Sequence, residues 1–551
     1  MNINNPLIVQ SDFSIFLEVD NPLFEEARDN LLRFAELIKS PEHIHTYKLT
    51  PISLWNAASS GMGPDTVVEV LKKYSRYEVP HNVINQIYIW MERYGKLQLL
   101  QRDGVLIFRS SDPYLFSEIV NNSSIKKFIY RVENEKEAVL LKWSRGQIKR
   151  ECINLGYPVV DLAGFEPGEP IDFKLKPELM FRYYQLEAIN VFSNYIKAGG
   201  SGIIVLPCGS GKTVVGLGII DKIRERTLIL VTNIIAARQW IDELCDKTEF
   251  SRDEIGEYSG EKKEIKPITI ATYNILTYRK QKGGDFVHMD KLNDNRWGLI
   301  IYDEVHLLPA PVFRFASEVQ AKRRLGLTAT LIREDGRESD VFSLIGPKLY
   351  DVPWKVLEKQ GWISAVICNE VKVDLPENYG YKYALSSRRM KFQIASMNER
   401  KIPVLLRLLE KHKDDNVLII GQFLKQLADV QKVLGAPLIT GSTPNDERKI
   451  LYESFRVGKI KILIVSKVAN FAIDLPDANV AIQISGTFGS RQEEAQRLGR
   501  ILRPKENLAY FYSIVTSGTV EEDYSEKRQR FLTEQGYRYR ILREEEILNN
   551  L

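Results

Sequence analysis

One short run in the middle of the chain restricts its fold more than any other. Residues Gly202–Leu206 are apolar and read as a strand, and Val214–Ile220 read as a helix. Between them stands Pro207-Cys208-Gly209-Ser210-Gly211-Lys212-Thr213. A glycine-rich turn that joins a strand to a helix through Gly-Lys-Thr is a phosphate loop in its proper context. Its glycines let backbone N–H groups turn inward at a helix N-terminus, where an anion is favoured. Lys212 would pair with the β and γ phosphates of a nucleotide such as ATP, and Thr213 would offer its hydroxyl to Mg²⁺. One departure is Leu206, where the pattern usually has Gly or Ala.

Such a loop needs an α/β sheet, and the flanking sequence supplies one. From Phe181 onward, strands alternate with helices, the sign of a parallel sheet with crossover helices. Strand candidates are Gly202–Leu206, Thr227–Val231, Pro267–Thr272, Gly298–Tyr302 and Arg324–Leu327. After a connection the pattern restarts with Asn416–Ile420, Pro437–Ile439, Ile460–Val465, Val480–Ile484 and Ala509–Ile514. Two α/β domains in series are expected. The 551 residues leave room for one or two more domains at ~150 residues each.

A nucleotide-bound Mg²⁺ needs a hard oxygen ligand. The apolar strand Gly298–Tyr302 runs into Asp303-Glu304-Val305-His306, two acids at the carboxyl end of a buried strand, where open α/β sheets bind ligands. Asp303 is expected to hold Mg²⁺ through water. Glu304 is expected to orient and deprotonate the attacking water. His306 would link this site to Thr328-Ala329-Thr330, whose hydroxyls follow the next strand. In the second domain, Gln496-Arg497-Leu498-Gly499-Arg500-Ile501-Leu502-Arg503 reads as a helix. Gln496, Arg500 and Arg503 share one face at i, i+4 and i+7. That face suits a γ-phosphate as arginine fingers; the bland alternative is a solvated basic face.

The chain before residue 181 is different. Residues 22–38 carry Phe24, Ala27, Leu31, Phe34, Ala35 and Ile38 at helical spacing. Helices are also expected over Pro51–Ala58, Pro64–Tyr74 and Pro80–Tyr94, each opened by proline. Strands Lys96–Leu100 and Val105–Phe108 flank an Asp103-Gly104 turn. Helices followed by a hairpin suggest a small, mostly helical, winged-helix-like domain. Glu137–Trp143 reads as a strand, and 163–177 is rich in Gly and Pro and should be a connector to the α/β domains.

Composition excludes several classes. With 44% hydrophobic and 27% charged residues, the chain is neither disordered nor collagen-like. The formal net charge of +4 argues for no partner by itself. Cys152, Cys208, Cys245 and Cys368 are scattered, so neither a zinc site nor a disulfide framework is expected. No apolar run reaches the ~18 residues of a membrane span, and Met1–Pro6 has no basic leader. A soluble, intracellular protein without a membrane partner is expected.

In this order, Lys212-Thr213, Asp303–His306, Thr328–Thr330 and Gln496–Arg503 resemble superfamily 2 helicases. Arg333-Glu334-Asp335 narrows the resemblance to the XPB family of DNA repair helicases, as do Ser466-Lys467-Val468, Ile473–Pro476 and Ser490–Arg497. The likeness is strong from about 176 to the C-terminus and weaker over 1–125. The compact chain is similar to bacterial or archaeal members, which would place it in the cytoplasm at the nucleoid. The resemblance implies an XPB-like N-terminal domain (1–125), a damage-recognition-like domain (126–175) and two RecA-like domains (176–350 and 351–551). It further implies a thumb near 378–400 that carries Arg388 and Arg389.

The resemblance also implies an ATP-dependent 3′ to 5′ DNA translocase. Arg182 and Gln185 would read the adenine ring. Pro207 to Thr213 would hold the phosphates, and Asp474 would lie near the ribose. Thr232, Tyr258, Gly260 and Thr272 would hold one DNA strand. The charges of Arg333, Glu334 and Asp335 themselves fit a strand-separating wedge, the acids steering one strand away and Arg333 holding the other, a charged surface loop being the bland alternative. Single-stranded and duplex-junction DNA are the implied partners, with a nuclease or another repair protein beside them. Two further readings share these motifs: a duplex translocase that separates no strands, and a DNA-bound ATP switch that recruits a partner. An RNA helicase is disfavoured by the Arg-Glu-Asp element.

Overall fold

The computed structural model describes residues 2–39, 43–141, 144–163, 167–196, 201–207, 209–276, 278, 288, 291–292, 295–307, 319, 321–329, 341–342, 344–352, 354–466, 478–486, 508–534 and 536–549. It divides into two compact units, Met1–Leu206 with Gly211–Val352, and Pro353–Leu551 with Pro207–Ser210.

The first unit begins with a four-stranded antiparallel sheet in the order β1-β2-β4-β3. Its strands are β1 (Leu7–Val9), β2 (Ser14–Glu18), β3 (Glu36–Lys39) and β4 (Ile44–Lys48). The expected helices are present as Pro51–Ser59, Pro64–Tyr74 and His81–Glu92. Thr50 caps the first of them by accepting from Ser53 N. The helix expected over 22–38 covers only Phe24–Leu31. The end of that stretch, Glu36-Leu37-Ile38-Lys39, forms β3 instead, and pairing with β4 outweighs its helical spacing. This region is therefore sheet as well as helix, around one core from Leu7 to Met91.

A five-stranded sheet follows, in the order β7-β8-β6-β5-β9. The strands are β5 (Leu97–Arg102), β6 (Val105–Ser110), β7 (Ile129–Val132), β8 (Glu137–Leu140) and β9 (Val159–Asp161). The β5–β6 hairpin turns on Asp103 and Gly104, both at positive φ (53° and 75°), as a tight hairpin turn demands. The expected wing is therefore not free, because β6 also pairs with β8 and β5 with β9. Its side chains share one core, Leu97 to Ala163, separate from the one before it. One sheet and one core thus extend across 125/126.

The third layer is a seven-stranded parallel sheet in the order β12-β13-β11-β14-β15-β10-β16. Its strands are β10 (Gly202–Val205), β11 (Thr227–Val231), β12 (Ile255–Tyr258), β13 (Ile268–Thr272), β14 (Trp297–Asp303), β15 (Ala321–Thr328) and β16 (Lys348–Asp351). Every residue of β10 to β13 is buried, as helices on both faces of a parallel sheet require.

The second unit repeats this plan. Its parallel sheet has the order β19-β20-β18-β21-β22-β17-β23. The strands are β17 (Val366–Val373), β18 (Val417–Gly421), β19 (Leu438–Ile439), β20 (Ile462–Ser466), β21 (Val480–Gln483), β22 (Ala509–Thr516) and β23 (Tyr539–Arg543). Numbered one to seven along the chain, the strands of both sheets read 3-4-2-5-6-1-7. The fold is thus α/β with two tandem parallel-sheet domains. No helix among the described residues is long and apolar enough to cross a membrane.

Candidate functional site

The sheet of the first unit arranges the expected site residues along one edge. Parallel strands bring their carboxyl ends to the same side, and the strand order fixes what stands next to what. β10 delivers the phosphate loop, β15 delivers Thr328, and β14 delivers Asp303 and Glu304. These three strands are adjacent. The next three, β11, β13 and β12, end at Thr232, Thr272 and Tyr258–Gly260. At ~4.8 Å per strand, the row from β10 to β12 is about 24 Å long.

At the phosphate loop, Gly209 and Gly211 have φ of +77° and +84°, which side chains rarely adopt. Ser210 is buried, and its hydroxyl donates to Pro207 O at 2.6 Å. Gly211 is the N-cap of the helix Lys212–Ile223 and brings no side chain to it. Gln185 lies against this turn: a Cβ on Gly211 would stand 2.5 Å from its Nε2. Gln185 Oε1 accepts from Arg182 N at 2.9 Å, and Arg182 Nη1 donates to Tyr184 Oη at 3.0 Å. Gln185 therefore stands beside Gly211, with Arg182 tied to it. Thr213 is half-buried in the first turn of the helix.

At the end of β14, Asp303 is held on three sides. Its Oδ2 accepts from Trp240 Nε1 at 2.9 Å, its Oδ1 accepts from Glu304 N at 3.0 Å, and its carbonyl accepts from Tyr273 Oη at 2.8 Å. Burial, followed by the Glu304 charge, pushes the Asp303 carboxyl up to about 6, while the Trp240 donor and Lys212 pull it down. Its side chain is enclosed by these neighbours although the residue keeps some exposed surface. A divalent cation would relieve the charge crowding at this pair.

Glu304 sits at φ +53°, a left-handed backbone for a residue with a side chain. Its Oε2 is buried without a hydrogen bond, 3.3 Å from His306 Nδ1. That nitrogen is 2.9 Å from Thr328 Oγ1, so the link expected between the two strand ends is present. An unsatisfied carboxylate oxygen next to Asp303, whose own carboxyl feels the Lys212 charge, fits a hydrated Mg²⁺–nucleotide.

At the other half of the row, Thr232 is half-buried and Gly260 is exposed. Tyr258 and Thr272 are 2% and 4% exposed, so their side chains support the loops that follow them and offer little surface. Tyr258 Oη pairs with His288 Nδ1 at 2.9 Å. In the second unit, Arg388 and Arg389 are exposed in the first turn of the helix Arg388–Ser396. The Arg388 guanidinium lies 5.5 Å from the Tyr524 ring centroid. Cys208, Thr330, Arg333, Glu334, Asp335, Asp474, Gln496, Arg500 and Arg503 fall outside the described residues.

Sequence reasoning missed two residues. Neither Trp240 nor Tyr273 was given a role at Asp303. The available signal was chemical: a buried Trp N–H or Tyr O–H must find an acceptor.

Comparison with known proteins agrees with this geometry. A family model described as "ERCC3/RAD25/XPB C-terminal helicase" matches residues 357–551. One described as "Type III restriction enzyme, res subunit" matches 178–333, and "Helicase conserved C-terminal domain" matches 7–134. The DNA 3'-5' helicase XPB of Kineococcus radiotolerans is 49% identical over 99% of this chain and 97% of its own length. The chain belongs to the XPB helicase family. The XPB of Mycobacterium tuberculosis is also 49% identical, over 99% of both chains. The XPB subunit of the general transcription and DNA repair factor IIH from Enterocytozoon bieneusi is 35% identical, over 98% of this chain and 92% of its own.

Proposed function

We propose that this chain is an ATP-driven DNA 3′ to 5′ helicase that acts in DNA repair. The observation that carries this reading is the division of one sheet edge. Three adjacent strands end in a phosphate loop, a hydroxyl and two acids, and the next three end in loops that the XPB resemblance gives to a DNA strand.

Lys212 holds the β and γ phosphates. Thr213 and Asp303 hold Mg²⁺, which neutralises phosphate charge when bound. Glu304 takes the proton of the attacking water, and its unsatisfied Oε2 is the oxygen suited to that task. Gln185 and Arg182 meet the adenine. Gln496, Arg500 and Arg503 supply the charge that phosphoryl transfer needs, and Asp474 meets the ribose. Thr232 and Gly260 contact one DNA strand, with Arg388 and Arg389 as a second grip. Arg333, Glu334 and Asp335 form the separating wedge. Residues 126–175 contribute damage recognition, and a nuclease or other repair protein works beside the chain at the nucleoid. The relative from Enterocytozoon bieneusi is named a helicase/translocase. Triplex displacement is therefore the companion assay to strand displacement from 3′- and 5′-tailed duplexes.

Glu304→Gln keeps nucleotide binding and loses at least ~100-fold in turnover, because an amide takes no proton. Lys212→Ala loses both. Wild-type turnover in Glu304→Gln, or displacement from 5′-tailed duplexes alone, refutes the reading.

A further inference from the structure

Trp240 lies within the helix Ile234–Lys247 and is 2% exposed. Its indole touches two parts of the nucleotide site at once. One edge closes on the helix that follows the phosphate loop, at a glycine: a Cβ on Gly216 would stand 2.7 Å from Trp240 Cη2. The other edge points Nε1–H at Asp303 Oδ2, 2.9 Å away. A core tryptophan that merely fills space also needs an acceptor for its N–H, and a backbone carbonyl usually serves: Trp55 Nε1 donates to Trp90 O and Trp297 Nε1 to Leu292 O. Trp240 instead takes the carboxylate at the centre of the site.

The consequence is orientation. The χ2 torsion of an aspartate is broad and leaves the carboxylate plane free to turn. In this chain Oδ1 is tied to Glu304 N and Oδ2 to Trp240, so the plane is fixed from both ends. The Trp240 ring is itself fixed by its fit against Gly216.

We infer that Trp240 is a positioning residue that fixes the Asp303 carboxylate for the divalent cation accompanying the nucleotide, and thereby registers the phosphate-loop helix against that cation. This rests on the reading of Asp303 as the Mg²⁺-binding acid. Outer-shell donors of this kind are worth about 10- to 100-fold in metal affinity.

The experiment measures binding of mant-ADP to the full chain by anisotropy, with the mant group excited directly, in Mg²⁺ and in EDTA. In wild type, Mg²⁺ tightens binding; no tightening there overturns the reading of Asp303 itself. Trp240→Phe keeps an aromatic ring against Gly216 and removes the donor. Its affinity in EDTA stays at the wild-type value, and the Mg²⁺-dependent gain falls about 10-fold. Trp240→His keeps an N–H in a smaller ring and recovers part of that gain. An undiminished gain in Trp240→Phe overturns the inference. Loss of affinity in EDTA as well, or an equal loss in Trp240→Phe and Trp240→His, assigns Trp240 to packing alone and overturns it too.

Discussion

Replacing Lys401 by Met will destabilise the carboxyl ends of two central strands in the second unit by about 3–5 kcal/mol. Lys401 and Glu521 are each 1% exposed. Lys401 Nζ lies 2.8 Å from both Glu521 oxygens and 2.9 Å from Ile484 O, just beyond β21. Glu521 Oε2 also accepts from Thr516 N, the last residue of β22, at 3.0 Å. At this distance and an effective dielectric constant of about 20, the pair attracts by roughly 6 kcal/mol. Dehydrating the two ions costs several kcal/mol each, so the intact pair is close to neutral. Lys401 agrees with that balance, since burial outweighs Glu521 and holds its ammonium below the ordinary lysine range. Removing one partner leaves the other's dehydration uncompensated. Lys401→Met with Glu521→Leu should recover most of the loss and leave about 1 kcal/mol, mainly from the acceptor lost to Thr516 N. The assay is hydrogen exchange on the full-length chain, reading peptides over 480–484 and 509–516 in the wild type, both single variants and the double variant. A cost below 1 kcal/mol for Lys401→Met would refute this reasoning, as would a double variant no more stable than the single.

Two other outcomes concern the first unit. Burial holds Lys149 down at about 8 from its ordinary 10.5, although Asp161 lies 2.9 Å away and opposes the shift. Between these two values the unfolded chain binds more protons, so wild-type stability relative to Lys149→Met rises as pH goes from 8 to 10, by at most about 3 kcal/mol. A difference that stays flat in denaturant titrations from pH 7.5 to 10 means that Lys149 is not held in this way. Gly216→Ala gains about 1 kcal/mol of helix propensity but drives a methyl group into the Trp240 ring, an overpacking cost of about 1–3 kcal/mol. A lower melting temperature is expected, and a raised one contradicts the contact.

The tandem sheets were legible because parallel strands are buried on both faces and appear as unbroken apolar runs. Thr227–Val231 and Val480–Ile484 need no alternation to be found. The strands that escaped notice break that pattern. β12 (Ile255–Tyr258) holds a glycine and the buried Glu257, whose carboxylate accepts from Ser259 Oγ at 2.9 Å. β23 (Tyr539–Arg543) is an edge strand with arginines at Arg540 and Arg543. β17 (Val366–Val373) carries Asn369 and Glu370 in a buried centre, and the Glu370 carboxylate accepts from Ser525 and Gln529, more than 150 residues away. No local window contains such a partner. The phosphate loop and the acids of β14 were legible for the opposite reason: each declares its chemistry within seven residues. Trp240 was not, because its role depends on Asp303, which lies 63 residues on and one strand away.

The repeated topology also limits how the nucleotide is held. Strand one of each sheet occupies the same place in the order 3-4-2-5-6-1-7. In the first sheet that strand is followed by Gly209 and Gly211 at positive φ and by Lys212. In the second it is followed by Asp374-Leu375-Pro376, then by the helix Glu377–Leu385. That turn has neither a glycine to face N–H groups inward nor a lysine. The Asp374 carboxylate lies among those of Glu544 and Glu545, with oxygens within 4.8 Å of one another. A phosphate brought to this turn would meet these carboxylates, of which Glu544 is paired with Arg400 at 2.6 Å. Among the described residues, two sheets of one plan therefore yield one phosphate cradle.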